Sequence, residues 1–173
     1  RFRNLQTGSH AHAGQSVRVV AERCDLADEA DVVSLLSRVR RDHGGLNMVV
    51  HAAGVVSEKP VSEEDRDSLG RVFGPKAGGS WWLHKHTLGD QLQGFVVYSS
   101  TSALFGAWPS YAAANAYLDG LVRWRRARSQ PSVSIQWPMI LDVGMVGSIK
   151  VDRRIGIDVS MVKRVLGHVV RAI

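Results

Sequence analysis

The sequence predicts an α/β fold built on a doubly wound parallel sheet, and three observations predict it. Short apolar runs alternate with helix-period stretches along the whole chain. The apolar runs lack the strict period of two that marks a half-exposed strand, as expected where both faces are covered. The connections are short, with no internal repeat and no interior linker, so consecutive elements are neighbours in one layered unit.

Each element has a local reason. Residues 1–15, with the small polar run Thr7-Gly8-Ser9-His10-Ala11-His12-Ala13-Gly14, read as a loop or linker ahead of the folded part, which is taken as 16–173. Ser16 to Glu22 alternates as a strand and leads to Cys24-Asp25-Leu26. Asp28 can cap a helix over 29–42, where Val32, Val33, Leu35, Leu36 and Val39 recur at helical spacing and Gly44-Gly45 ends it. Leu46 to Ala53 is nearly all apolar, as in a strand covered on both faces. Ser62, followed by Glu63-Glu64-Asp65, opens a long helix interrupted near Gly74-Pro75 and resumed through Trp81, Trp82 and Leu83. A strand over 94–98, a helix over about 111–128 and a strand over 132–136 follow, and Ser160 caps a last amphipathic helix carrying Met161, Val165, Val169 and Ile173.

Composition excludes several classes. With 45% hydrophobic and 22% charged residues in 173, the chain is neither disordered, collagenous nor a coiled coil. No apolar stretch approaches the roughly 20 residues of a membrane span, and Arg1 to Gly8 lacks the apolar core of a secretory signal. Cys24 is the single cysteine, which fits a reducing, cytoplasmic setting and leaves no cysteine metal cluster. His10 and His12 have no carboxylate or cysteine partner nearby, so no metal is expected. The net charge of +6 suits a nucleic acid, a phosphorylated cofactor or an acidic protein. The run Arg123 to Arg128 is read as a solvated helix end, and no aromatic-interleaved basic motif supports nucleic acid.

In open parallel sheets, ligands bind beyond the carboxyl ends of the strands. Those ends carry Asp25, then Ala52-Ala53-Gly54, then Ser99-Ser100, then Trp137-Pro138. Tyr111 and Asn115 are one helical turn apart and share a face. A phenol and an amide aimed at a strand-end serine can donate hydrogen bonds to one carbonyl oxygen, which is a site for delivering a proton during carbonyl reduction.

The runs FVVYSSTSALFG and YAAANAYLDGLVRWRRA, with HAAGV and GPKAGGSWWLH before them, closely resemble the ketoreductase domain of modular polyketide synthases, within the short-chain dehydrogenase/reductase superfamily. The resemblance runs from about Val17 to Met145 and implies a Rossmann-like fold. It implies that Tyr111 is the general acid, that Ser100 holds the ketone oxygen, and that Lys76 brings the cation that lowers the phenol pKa. Asn115 stands where ordinary superfamily members carry that lysine. NADPH is the implied cofactor, with Asp25 and Leu26 at the adenine, Ala52, Ala53 and Gly54 along it, Pro138 and Met139 at the nicotinamide, and Arg1 at the 2′-phosphate. The implied substrate is a β-ketoacyl thioester on an acyl carrier protein, beside other synthase domains.

Departures from the family pattern shape three expectations. Ser100 to Tyr111 is eleven residues, two fewer than the family's usual spacing, so either the loop takes a tighter path or Ser99 slides into the role of Ser100. The family's stereochemical markers are missing near Val56-Ser57-Glu58 and upstream of Tyr111, so the hydroxyl configuration is unassigned. No GxGxxG phosphate loop occurs, and a sheet of order 3-2-1-4-5-6 would put the strand at 16–22 third and that at 46–53 fourth, with two central strands missing between them. The chain is therefore expected to be a partial domain lacking the first β-α-β unit, unable alone to fold stably or bind NADPH. The rival expectation is a catalytically silent remnant that scaffolds neighbouring domains.

Overall fold

The structure, a computed structural model, describes residues 9–12, 15–143, 154 and 156–173. Its centre is a three-stranded parallel sheet in the order β3-β4-β5, made of Met48–His51, Gly94–Ser100 and Val133–Trp137. The register pairs His51 with Val97 and Ser100 with Trp137, so the carboxyl ends of all three strands open on one edge. Helices α1 (Glu29–His43), α3 (Gly79–His86) and α5 (Pro109–Arg126) cover one face. There Val32 and Leu36 meet Val49, Leu83, Phe95, Val97, Leu118 and Val122 in the main core. Each such side chain contributes about 1.5–3 kcal/mol through burial. A second cluster joins Val72 of α2 (Arg66–Phe73) to Tyr111 and Ala114 of α5.

Helix α1 forms as its sequence dictates. Asp28 is extended, its carboxylate accepts the Ala30 N–H at 2.8 Å, and Gly44 ends the helix with φ 79°. Elsewhere the caps differ from expectation. Ser62 lies in a 3₁₀ turn, Val61–Glu63, and Asp65 instead caps α2 through a reciprocal pair with Ser68. Asp158, not Ser160, caps α6 (Val159–Ala172) by accepting the Met161 N–H at 2.9 Å. In both cases a carboxylate in extended backbone satisfies the first-turn donors, and the serine supports it.

The amino-terminal region differs further. Ser9–His12, expected within the linker, pairs as β1 with β2 (Gln15–Arg18) in an antiparallel ladder from Ser9↔Arg18 to His12↔Gln15. The expected strand over 16–22 stops at Arg18 and joins no parallel sheet, because a strand needs a ladder partner and its nearest one is local. Strand β3 is correspondingly an edge among the described residues. Val50, on the face opposite α1, α3 and α5, is 45% exposed, so that face of β3 is only partly covered.

Two further elements close the carboxyl end. Met139–Ile140 (β6) pairs in parallel with Gly156–Ile157 (β7). Arg125, expected on a solvated helix end, is instead buried. Its guanidinium lies 4.2 Å over the Phe95 ring and donates to His84 Nδ1 at 2.6 Å, and desolvation lowers the pKa of both groups. No described helix is long and apolar enough to cross a membrane.

Candidate active site

The sheet edge gathers four of the residues singled out from the sequence. Ser100 ends β4, Tyr111 and Asn115 sit on the first turns of α5, and Lys76 lies in a π-helical turn, Gly74–Gly78, between α2 and α3. Gly74-Pro75 explains that turn, since proline has no N–H to give and the wider spacing bonds Gly79 N–H to the Gly74 carbonyl. The turn re-aims Lys76 inward, where it is 3% exposed.

The hydrogen bonds define the set. The Tyr111 hydroxyl lies close enough to the side chains of Ser100 and Asn115 for both to favour its ionised form. Asn115 Nδ2 also donates to the Tyr111 carbonyl at 2.7 Å, while its Oδ1 is buried with no hydrogen-bond partner among the described residues. Lys76 Nζ donates to the Tyr98 carbonyl at 2.9 Å and stands 5.3 Å from the centre of the Tyr111 ring. Ser99 is buried and donates to the Asn115 carbonyl at 3.3 Å. Ser100, not Ser99, therefore faces the phenol.

The loop accordingly takes the tighter path. After the short helix α4 (Ser102–Phe105), Gly106 has φ 72° and Trp108 has φ 53° directly before Pro109, the first residue of α5. A non-glycine residue in the left-handed region costs about 1–3 kcal/mol. Trp108 is held there by an edge contact with the Tyr111 ring, at 6.3 Å between centroids.

Burial dominates the electrostatics of the site. Burial raises the Tyr111 phenol above its ordinary value, against the opposing pull of its hydrogen bonds from Asn115 and Ser100. The Lys76 ammonium stands over the ring and donates to the Tyr98 carbonyl rather than to the phenol oxygen. Burial also brings the Lys76 ammonium down to about 8, opposed by the negative charge of Asp119.

The remaining predicted positions scatter. Asp25 accepts the Ala27 N–H at 2.9 Å in a local turn and lines an open cleft with Ala27, Arg66, Asp67, Arg71 and Pro75, which none of Ser100, Tyr111 and Asn115 lines. Leu26 packs on the main core and against Gly79. Ala52 and Ala53 follow β3 towards Gly54, whose missing Cβ makes room for Lys76, since a Cβ there would lie 3.0 Å from Lys76 Cε. Pro138 and Met139 follow Trp137, the register partner of Ser100, and so border the serine. Arg1 lies outside the described residues.

Sequence reasoning missed Glu64, which accepts from Ser110 Oγ at 2.6 Å and from Ser68, tying the loop before α2 to the start of α5. Spacing gives no hint of it, because the contact joins residues 46 positions apart. Among the described residues no histidine, cysteine or carboxylate cluster could hold a metal ion.

An open parallel sheet with this lysine, serine, tyrosine and asparagine at its carboxyl edge defines a Rossmann-like α/β fold of the short-chain reductase class. The KR domain family model matches residues 5–142, and the chain belongs to that family. It is 42% identical over 131 residues to the spectinabilin polyketide synthase system protein NorB of Streptomyces orinoci, covering 75% of this chain and 6% of that protein. It is 37% identical over 142 residues to the polyketide synthase GfsB of Streptomyces halstedii, covering 80% of this chain and 2% of that protein. Among solved structures, an A-type ketoreductase from a modular polyketide synthase superposes with a TM-score of 0.79 at 32% identity, over 87% of this chain and 34% of the other. A ketoreductase domain from the bacillaene assembly line shares the fold, with a TM-score of 0.78 at 21% identity, over 86% of this chain and 39% of the other. The chain thus spans a small fraction of the synthases and about a third of the ketoreductase structures.

Proposed function

We propose that this chain carries the proton-delivery half of a ketoreductase site, which reduces a β-ketoacyl thioester on an acyl carrier protein to the β-hydroxyacyl thioester within a polyketide synthase. The observation that carries the reading is the convergence of Ser100, Asn115 and Lys76 on Tyr111. The nicotinamide end of a dinucleotide fits here, with Pro138 and Met139 beside Ser100 and a buried Asn115 Oδ1 still free to accept. The phosphate end has no glycine-rich cradle in this sequence. When bound, NADPH supplies the hydride.

The residues supply the rest. Ser100 Oγ donates to the ketone oxygen, and the Tyr111 phenol, held protonated by its raised pKa, gives that oxygen its proton as the carbonyl carbon becomes tetrahedral. The resulting phenolate is offset by the Lys76 ammonium over its ring. The Asn115 amide, held by its bond to the Tyr111 carbonyl, stands beside the hydroxyl and favours its ionised form.

Tyr111→Phe in the native polypeptide tests the reading. Reduction of a β-ketoacyl thioester should fall by about 10²–10⁴-fold, while NADPH titration by fluorescence is unchanged. Undiminished turnover would overturn the assignment, and wild-type polypeptide that neither turns over nor binds NADPH would favour a scaffolding remnant.

A further inference from the structure

His51 is the last residue of β3 and is 2% exposed. Its Nε2 lies 3.2 Å from the Lys76 carbonyl oxygen, an atom that can only accept, so Nε2 carries the proton and the ring is the Nε2–H tautomer. Nδ1 is left with a bare lone pair and, among the described residues, no partner. A buried imidazole with one nitrogen unsatisfied is a costly way to fill a strand end, where an apolar side chain would pack without penalty. The cost is explained if the remaining hydrogen bond does something specific.

That bond falls on the residue whose placement is most irregular. The π-helical turn at Gly74–Gly78 departs from the regular α-helical ladder, and within it the Lys76 carbonyl accepts from Gly79 N–H, three residues on, and from His51. The other end of the lysine is fixed by the Tyr98 carbonyl at 2.9 Å, and Gly54 leaves its stem 3.0 Å from where a Cβ would stand. The sheet therefore grips Lys76 at three points: His51 and the neighbouring Gly54 after β3, and Tyr98 in β4.

We propose that His51 is a positioning residue for Lys76: by donating to the Lys76 carbonyl it fixes the π-helical turn to the sheet, so that the ammonium stays over the Tyr111 ring. This rests on the reading of Lys76 and Tyr111 as parts of the reductive site. His51 does not touch the substrate. It acts in its neutral form, which burial secures by lowering its pKa to about 4, with the Lys76 charge adding to the effect and the hydrogen bond to the Lys76 carbonyl opposing it.

The test compares His51→Met, which fills the space and cannot donate, with His51→Gln, which can, in the native polypeptide with NADPH and a soluble β-ketoacyl thioester. His51→Met should lower kcat by about 10- to 100-fold with KM little changed, the cost of a misplaced group away from the reacting atoms. The alkaline limb of its kcat/KM profile should move up from near pH 8, as a loosened Lys76 regains water and its ordinary pKa. The titratable groups facing Lys76 are Tyr111, Tyr98, Asp119 and His51, and of these His51 alone is altered. His51→Gln should restore most of kcat and the limb. A His51→Met enzyme with native kcat and profile, or a glutamine variant no better than methionine, would overturn the proposal. If the methionine variant does not fold, the imidazole nitrogen spectrum of the wild type decides: an Nδ1–H tautomer at pH 7 contradicts the hydrogen bond, and an Nε2–H tautomer upholds it. Tyr111→Phe run alongside separates the two readings, since its loss of activity with an indifferent His51 would sink only this one.

Discussion

At the scale of single residues, two shifts decide how the site answers to pH. In the free protein Lys76 is held down to about 8 by burial, while burial raises the Tyr111 phenol above its ordinary value. The proposed mechanism needs both groups protonated, so in it the lysine, and not the tyrosine, sets the alkaline limit. We expect kcat/KM to fall as pH rises through about 8, approaching tenfold per unit, whereas a profile flat to pH 10 would remove Lys76 from the proton path. Gly54 makes a second, independent case. Adding a methyl there brings Cβ to 3.0 Å from Lys76 Cε and 3.3 Å from Nζ, so Gly54→Ala should impair turnover by displacing the ammonium while leaving the fold's melting temperature nearly unchanged. That Lys76, Ser100, Tyr111 and Asn115 gather at one sheet edge was legible from ordered motifs. The grip on Lys76 was not, because His51, Gly54 and Tyr98 meet it only once the π-helical turn has rotated it inward.

At the scale of elements, glycines in two helices have opposite meanings. Gly120, in the interior of α5, has open space where a Cβ would go, so Gly120→Ala should stabilise by about 0.5–1 kcal/mol through helix propensity. Gly79 opens α3 against Leu26, and a Cβ would stand 2.9 Å from Leu26 Cβ and 3.1 Å from its carbonyl oxygen. There the same change should destabilise by about 1–3 kcal/mol, since overpacking outweighs propensity. Thermal melts of the two variants in the native polypeptide check both signs, and equal signs would contradict the close packing of α3. The elements themselves show where local reading works. Helix α1 was legible at both ends because Asp28 and Gly44 act on their own neighbours. The caps of α2 and α6 were misplaced by a few residues, where an aspartate competed with a serine close by. The strand expected over 16–22 failed for a different reason: propensity marks a segment fit for a sheet, and only a neighbour makes it one.

At the scale of the whole molecule, part of the exposed surface is apolar and lies where a parallel sheet is normally covered. Strand β3 is an edge among the described residues, Val50 is 45% exposed on its open face, and Val55 beyond it is 44% exposed. An edge strand with an apolar, half-open face templates further pairing, and a three-stranded sheet whose edge strand is only partly covered buries less than a complete doubly wound sheet. We therefore expect the isolated 173-residue chain to melt broadly, to bind the dye ANS at neutral pH and to show no saturable NADPH binding. The native polypeptide should melt sharply and bind dye weakly. A cooperative, two-state melt of the isolated chain with calorimetric and van't Hoff enthalpies in agreement would contradict this, and would mean that the core between α1, α3, α5 and the three-stranded sheet suffices by itself.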